Sequence, residues 1–104
     1  MDKKGKRYLR TGDVVFSPEA NSTDRYIVFG LQIGSIACIW DKDGEEALGL
    51  PGTPAEGLEG LIPLGEHWDV DRTIAAFGRA GIAGTEIIDM IHERYDEPPY
   101  EINE

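Results

Sequence analysis

Residues 25–48 read RYIVFGLQIGSIACIWDKDGEEAL, and the fold class turns on how this stretch is divided. Arg25 to Leu31 is apolar on both alternating faces, which predicts an interior strand, with Gly30 marking a bulge or a sharp bend. Ser35 to Trp40 predicts another, with Ile36, Cys38 and Trp40 on one face and Ala37 and Ile39 on the other. Asp41-Lys42-Asp43-Gly44 supplies a tight hairpin turn, because glycine accepts a positive φ and aspartate bonds its own backbone. Glu45 to Leu48 then returns as the partner strand.

Upstream, Val14-Val15-Phe16 lies between the turn signal Thr11-Gly12-Asp13 and the stop Ser17-Pro18, so it reads as a strand, followed by a polar loop from Glu19 to Asp24. Residues 1–10, MDKKGKRYLR, hold almost nothing for a core and read as a basic mobile arm or a short edge strand using Tyr8 and Leu9. Downstream, residues 49–60 (GLPGTPAEGLEG) predict no regular element, although Leu50 and Leu58 argue that the loop folds back on the body. Leu61-Ile62-Pro63-Leu64 reads as an edge strand, since proline removes a ladder donor.

The period then changes. Val70, Ile74, Phe77 and Gly78 predict a helix over about 70–80, capped by Asp69 or Asp71 and ended at Gly81. A second helix is predicted over about 85–95, with Thr85 as N-cap. Its stripe is Ile87, Ile88, Ile91 and Tyr95, and Glu86, Asp89, Glu93 and Arg94 face water. Asp96-Glu97-Pro98-Pro99 stops it and leaves residues 96–104 as an extended acidic tail. Strands precede helices, so the expected class is α+β: a small antiparallel β-sheet or SH3-like barrel of four or five strands over about 12–64, then a helical hairpin.

At 104 residues with 40% apolar and 29% charged side chains, the chain predicts a single domain with a small core, which excludes wholesale disorder and a coiled coil. No apolar run approaches the roughly 18–20 residues of a membrane span, and no hydrophobic stretch follows the basic N-terminus, so a soluble cytoplasmic protein is expected, in the host cell if phage-encoded. Cys38 is the single cysteine, which rules out an internal disulfide and makes a zinc site improbable.

The formal charge of −10 is a cancellation. Residues 1–10 carry five cations against Asp2, a net +4, and the remainder carries −14. Residues 41–71 hold nine acids against Lys42, and residues 86–104 hold seven against Arg94. Such a body repels nucleic acid and anionic lipid and attracts basic proteins.

Four motifs are better explained without chemistry. His67-x-Asp69 with a distant His92 has the residue types of an iron facial triad, but Asp69 and Asp71 are accounted for as helix N-caps, and the chain has too few strands for such an enzyme. Gly78-Arg79-Ala80-Gly81 matches a phosphate-clamping GxxG between helices, yet no strand is expected to follow and the body is strongly acidic; a helix C-cap and turn suffice. Cys38, among apolar neighbours, reads as an inert small hydrophobe. Pro51 to Pro54 matches PxxP without a flanking basic residue and reads as loop punctuation.

No catalytic residue, metal or cofactor is therefore expected. The predicted partner-binding residues are Asp41, Asp43, Glu45, Glu46, Glu66, Asp69, Asp71, Glu86, Asp89, Glu93, Asp96 and Glu97. They imply a non-catalytic binding module for a basic protein, in its most concrete form a phage or mobile-element inhibitor that mimics nucleic acid and blocks a basic groove. The alternative is a structural assembly or adaptor subunit of the phage-connector type, a homo-oligomer in which the basic arm of one copy docks on the acidic body of another.

Overall fold

Strands that are apolar on both faces need a layer on each side, and the chain supplies both. The computed structural model describes residues 6–18, 24–31, 34–49, 52–54 and 57–103. Its elements are β1 (Lys6–Leu9), β2 (Asp13–Phe16), β3 (Arg25–Val28), β4 (Ile36–Lys42), β5 (Glu45–Leu48), β6 (Ile62–His67), α1 (Val70–Arg79), α2 (Thr85–Tyr95) and β7 (Tyr100–Asn103). The fold is α+β. Five strands form an antiparallel sheet in the order β5-β4-β3-β2-β6, and β1 and β7 form a separate antiparallel ribbon. The sheet stays open, with β5 and β6 as its two edges, so the SH3-like barrel does not close.

Val14, Ile27, Ala37, Ile39 and Leu48 point to one side of the sheet, where they pack with Trp68, Ala76, Phe77 and Ile91 at the helices. Phe29 meets Phe77 there at a ring-centroid distance of 5.6 Å. Val15, Val28 and Ile36 point to the other side and pack with Leu9, Ile102, Leu58 and Leu61. Each fully buried Val, Leu, Ile or Phe among them contributes about 1.5–3 kcal/mol of transfer free energy.

The hairpin turns through Asp43 (φ 53°) and Gly44 (φ 82°) between the paired Lys42 and Glu45. Two successive positive φ values match the right-handed twist of the flanking strands. Strand β3 stops at Val28, short of the expected Leu31, and Gly30 (φ 88°) lies two residues past its end; Gly81 (φ 79°) follows the C-cap of α1. Gly12 (φ 103°) has no room for a side chain: an added Cβ would lie 2.5 Å from Trp68 O and 2.8 Å from His67 Cε1. Its N–H donates to Val28 O and its carbonyl accepts from Trp68 N, so it joins β2 to the end of β3 and to the entry of α1.

Several sequence expectations shift. Strand β6 runs on to His67, past the expected end at Leu64, with an irregular register against β2 between Asp13 and Val15. The loop after β5 is not wholly irregular: Gly52 bridges Ile36, and Leu58–Gly60 forms one 3-10 turn that buries Leu58. Thr85 is not the N-cap of α2; Gly84 holds the extended cap conformation, with no side-chain cap bond. Residues 6–9 of the arm and 100–103 of the tail are hydrogen-bonded to each other as β1 and β7. The arm's residues 1–5, residues 19–23 of the polar loop, Leu50, Pro51 of the PxxP motif, Glu56 and Glu104 lie outside the described residues. No described helix is long and apolar enough to cross a membrane.

Candidate protein-binding surface

The acidic residues fall into two populations, and the difference is made by arginine. Arg25 on β3 and Glu46 on β5 lie on the helix-facing side of the sheet, where α1 brings Arg72 and Arg79. Arg25 Nη2 lies 2.6 Å from Glu46 Oε2, and its Nη1 lies 3.2 Å from Glu66 Oε1. Arg72 Nη2 closes the ring, 2.6 Å from Glu46 Oε1 and 3.2 Å from Glu66 Oε2. Trp68 Nε1 donates to Glu66 Oε2, and the Arg72 guanidinium stacks 4.2 Å from the Trp68 ring centroid. Arg79 Nε donates to the Glu46 carbonyl at 2.6 Å, while its Nη1 reaches Glu45 Oε1 at 3.4 Å.

The two guanidinium hydrogen bonds, Arg25 first and Arg72 second, hold the Glu46 carboxyl below its ordinary range. The reciprocal bond from Glu46, with further help from Glu66 and Asp41, raises Arg25. The predicted binding residues Glu45, Glu46 and Glu66 are thus brought together, but around cations of the same chain. They fasten α1 to the edge strand β5.

Asp69 is also occupied, its Oδ1 accepting from Arg72 N at 2.8 Å as the N-cap of α1. Glu97 Oε1 accepts from Leu31 N at 2.8 Å and its Oε2 lies 3.6 Å from Arg94 Nη1. Arg94 consequently does not face open water as the helical pattern predicts; its side chain is one-quarter exposed. Asp71 stands in the first turn of α1, and Asp41 and Asp43 stand exposed at the β4–β5 hairpin.

His67 pairs with Asp13, Nδ1 to Oδ1 at 2.8 Å, and Asp13 Oδ2 accepts from Arg10 N. His92 lies exposed on α2, and among the described residues no group of three or more His, Cys, Asp or Glu side chains converges as a metal would need. Behind His67, the Tyr95 hydroxyl donates to Trp68 O at 3.1 Å and accepts from Thr73 Oγ1 at 2.5 Å. Burial pushes Tyr95 up to about 12. Cys38 is half-buried and raised, first by desolvation and then by Asp24, which disfavours the thiolate.

The second population lies on α2. Glu86, Asp89, Glu93 and Asp96 follow one another at intervals of three, four and three, so they share a helix face opposite the buried Ile91. All four are exposed, and none has an ion-pair partner among the described residues. The helical rise spreads them over about 15 Å. Spacing alone could have isolated this stripe in the sequence. The arginine ring could not have been found that way, because it joins β3, β5, β6 and α1. Comparison with protein-family models, curated proteins and solved structures gives no match.

Proposed function

We propose that the protein is a non-catalytic binding module that offers the acidic face of α2 to a basic protein, as a phage or mobile-element inhibitor occupying the nucleic-acid groove of its target. The observation that supports this reading is the stripe Glu86, Asp89, Glu93, Asp96, exposed and, among the described residues, without an ion-pair partner. Four charges over about 15 Å, one per about 5 Å, amount to roughly two-thirds of the linear density of one duplex strand, about one phosphate per 3.4 Å. Carboxylates at that spacing can take bidentate arginines in place of phosphates. Asp41, Asp43 and Asp71 extend the field, whereas Glu45, Glu46, Glu66, Asp69 and Glu97 hold the scaffold. Assembly through the basic arm has less support, since Lys6–Leu9 is already paired within its own chain.

The test is titration with a hexa-arginine peptide at low and high salt. Affinity is expected to fall by roughly tenfold or more across that range, as screening shortens from about 30 Å to a few Å. Replacing the four α2 acids by their amides should weaken low-salt binding by a similar factor. Binding that ignores both salt and the amide variant would remove the basis of the proposal.

A further inference from the structure

Strand β7 is joined to the rest of the chain by a short link. Helix α2 ends at Tyr95 and β7 begins at Tyr100, so only Asp96, Glu97, Pro98 and Pro99 lie between them. The link is fixed at its near end: the Asp96 N–H donates to His92 O at 3.2 Å, and Glu97 Oε1 accepts from Leu31 N at 2.8 Å. Beyond Glu97 the two prolines are exposed, donate no N–H and stiffen the backbone in an extended form. What retains β7 itself is narrow. Its four residues pair with Lys6 to Leu9, and of Tyr100, Glu101 and Ile102 only Ile102 is buried, in the cluster of Leu9, Val15, Val28, Leu58 and Leu61.

From this we infer that β7 is an exchangeable strand, and that its seat beside β1 takes β7 from a second copy of this chain in a reciprocal, two-fold dimer. The seat defines its occupant, because β7 already fits it in register and buries Ile102 there. An exchanged copy forms the same pairs and covers the same side chains, so mass action governs the dimer. Exchange needs only a change of direction after Glu97, since the elements before it keep their own partners. The prolines favour it: a flexible link lets a released β7 curl back onto its own β1, whereas a stiff, extended one carries it away from the body. Helix α2 takes no part, so each copy keeps its acidic face. Charge gives the dimer a signature. Two copies carrying −10 each repel, so added salt screens the repulsion and favours exchange. A dimer made by docking the basic arm of one copy on the acidic body of another has the opposite dependence, because salt weakens that attraction.

The experiment is a disulfide test between chains. Tyr8 and Glu101 stand opposite each other across the ribbon, and both are exposed. In a Cys38→Ala background, Tyr8→Cys and Glu101→Cys chains are mixed at about 1 mM, held overnight, diluted and oxidised. A disulfide joining one chain of each variant forms where β7 of one copy lies on β1 of the other. The joined product is expected to exceed several-fold that of the same variants mixed only after dilution. Light scattering of the unsubstituted chain should show a dimer fraction that rises with salt, and this second measurement keeps the test decisive if either variant loses its fold. The inference is overturned by a monomer at about 1 mM at every salt concentration, by a dimer that dissociates as salt is added, or by equal joined product in the two mixtures.

Discussion

Glu46 is the residue on which the attachment of α1 turns, since it meets two guanidinium groups with its carboxylate and a third with its carbonyl. Its depressed ionisation means that the carboxylate stabilises the fold above the ordinary glutamate value. That contribution is lost as pH falls through the lower folded value. Glu46→Gln is expected to cost about 1 kcal/mol in urea unfolding at neutral pH, more than an isolated surface pair. The gap to the parent protein should then begin to narrow as pH falls below the ordinary glutamate value of about 4.3 and close as it passes through the lower folded value. A gap that stays constant down to pH 3 would show that the ring contributes nothing through ionisation. The count of acids in residues 41–71 is plain in the sequence. That Glu46 and Glu66 are neutralised at home is not, because their cations are remote in sequence and meet them only across the folded sheet.

At the scale of elements, the two helices start differently. Helix α1 has the Asp69 carboxylate on the N–H of Arg72, and α2 has only the backbone of Gly84. Asp69→Ala is therefore expected to lower stability by about 1 kcal/mol. Thr85→Ala should change it little or raise it slightly, since Thr85 is already helical and alanine is the better helix former. Thermal melts of the two variants decide it, and equal losses would contradict this account of the caps. Both helices and the β4–β5 hairpin were legible because their signals are local: a 3.6-residue apolar period, and aspartate-glycine between alternating strands. The β1–β7 pair was not. Tyr8, Leu9 and Ile102 give only short apolar hints, and no turn joins them. The His67–Asp13 contact was hidden likewise, since it depends on the register of β6 against β2. The open edges are guarded in two ways, β5 non-locally by Arg79 of α1 on its Glu46 carbonyl, and β6 locally by its own Pro63 and the positive φ of Gly65.

For the whole molecule, the sheet divides two cores that, among the described residues, share no buried side chain. The helix-side core joins the sheet to both helices. The ribbon-side core depends on a two-stranded layer, and two strands alone are marginally stable in water. Native-state hydrogen exchange is expected to show the amides paired between β1 and β7 opening at a lower free energy than those between β3 and β4. A single common opening free energy would show instead that the layers unfold as one unit.

The pairing of Lys6 with Asn103 also sets an order of events. Strand β1 can find its partner only once residues 100–103 have been made, so the five-stranded sheet and its helices, which lie before them, can assemble while Leu9 still lacks a cover. Closing so long a loop is entropically costly, and contacts of this separation slow folding. A chain in which β1 and β7 are unpaired covers Val15, Val28 and Ile36 with Leu58 and Leu61 but without Leu9 and Ile102, and apolar surface bared in that way is what makes partly folded chains prone to aggregate.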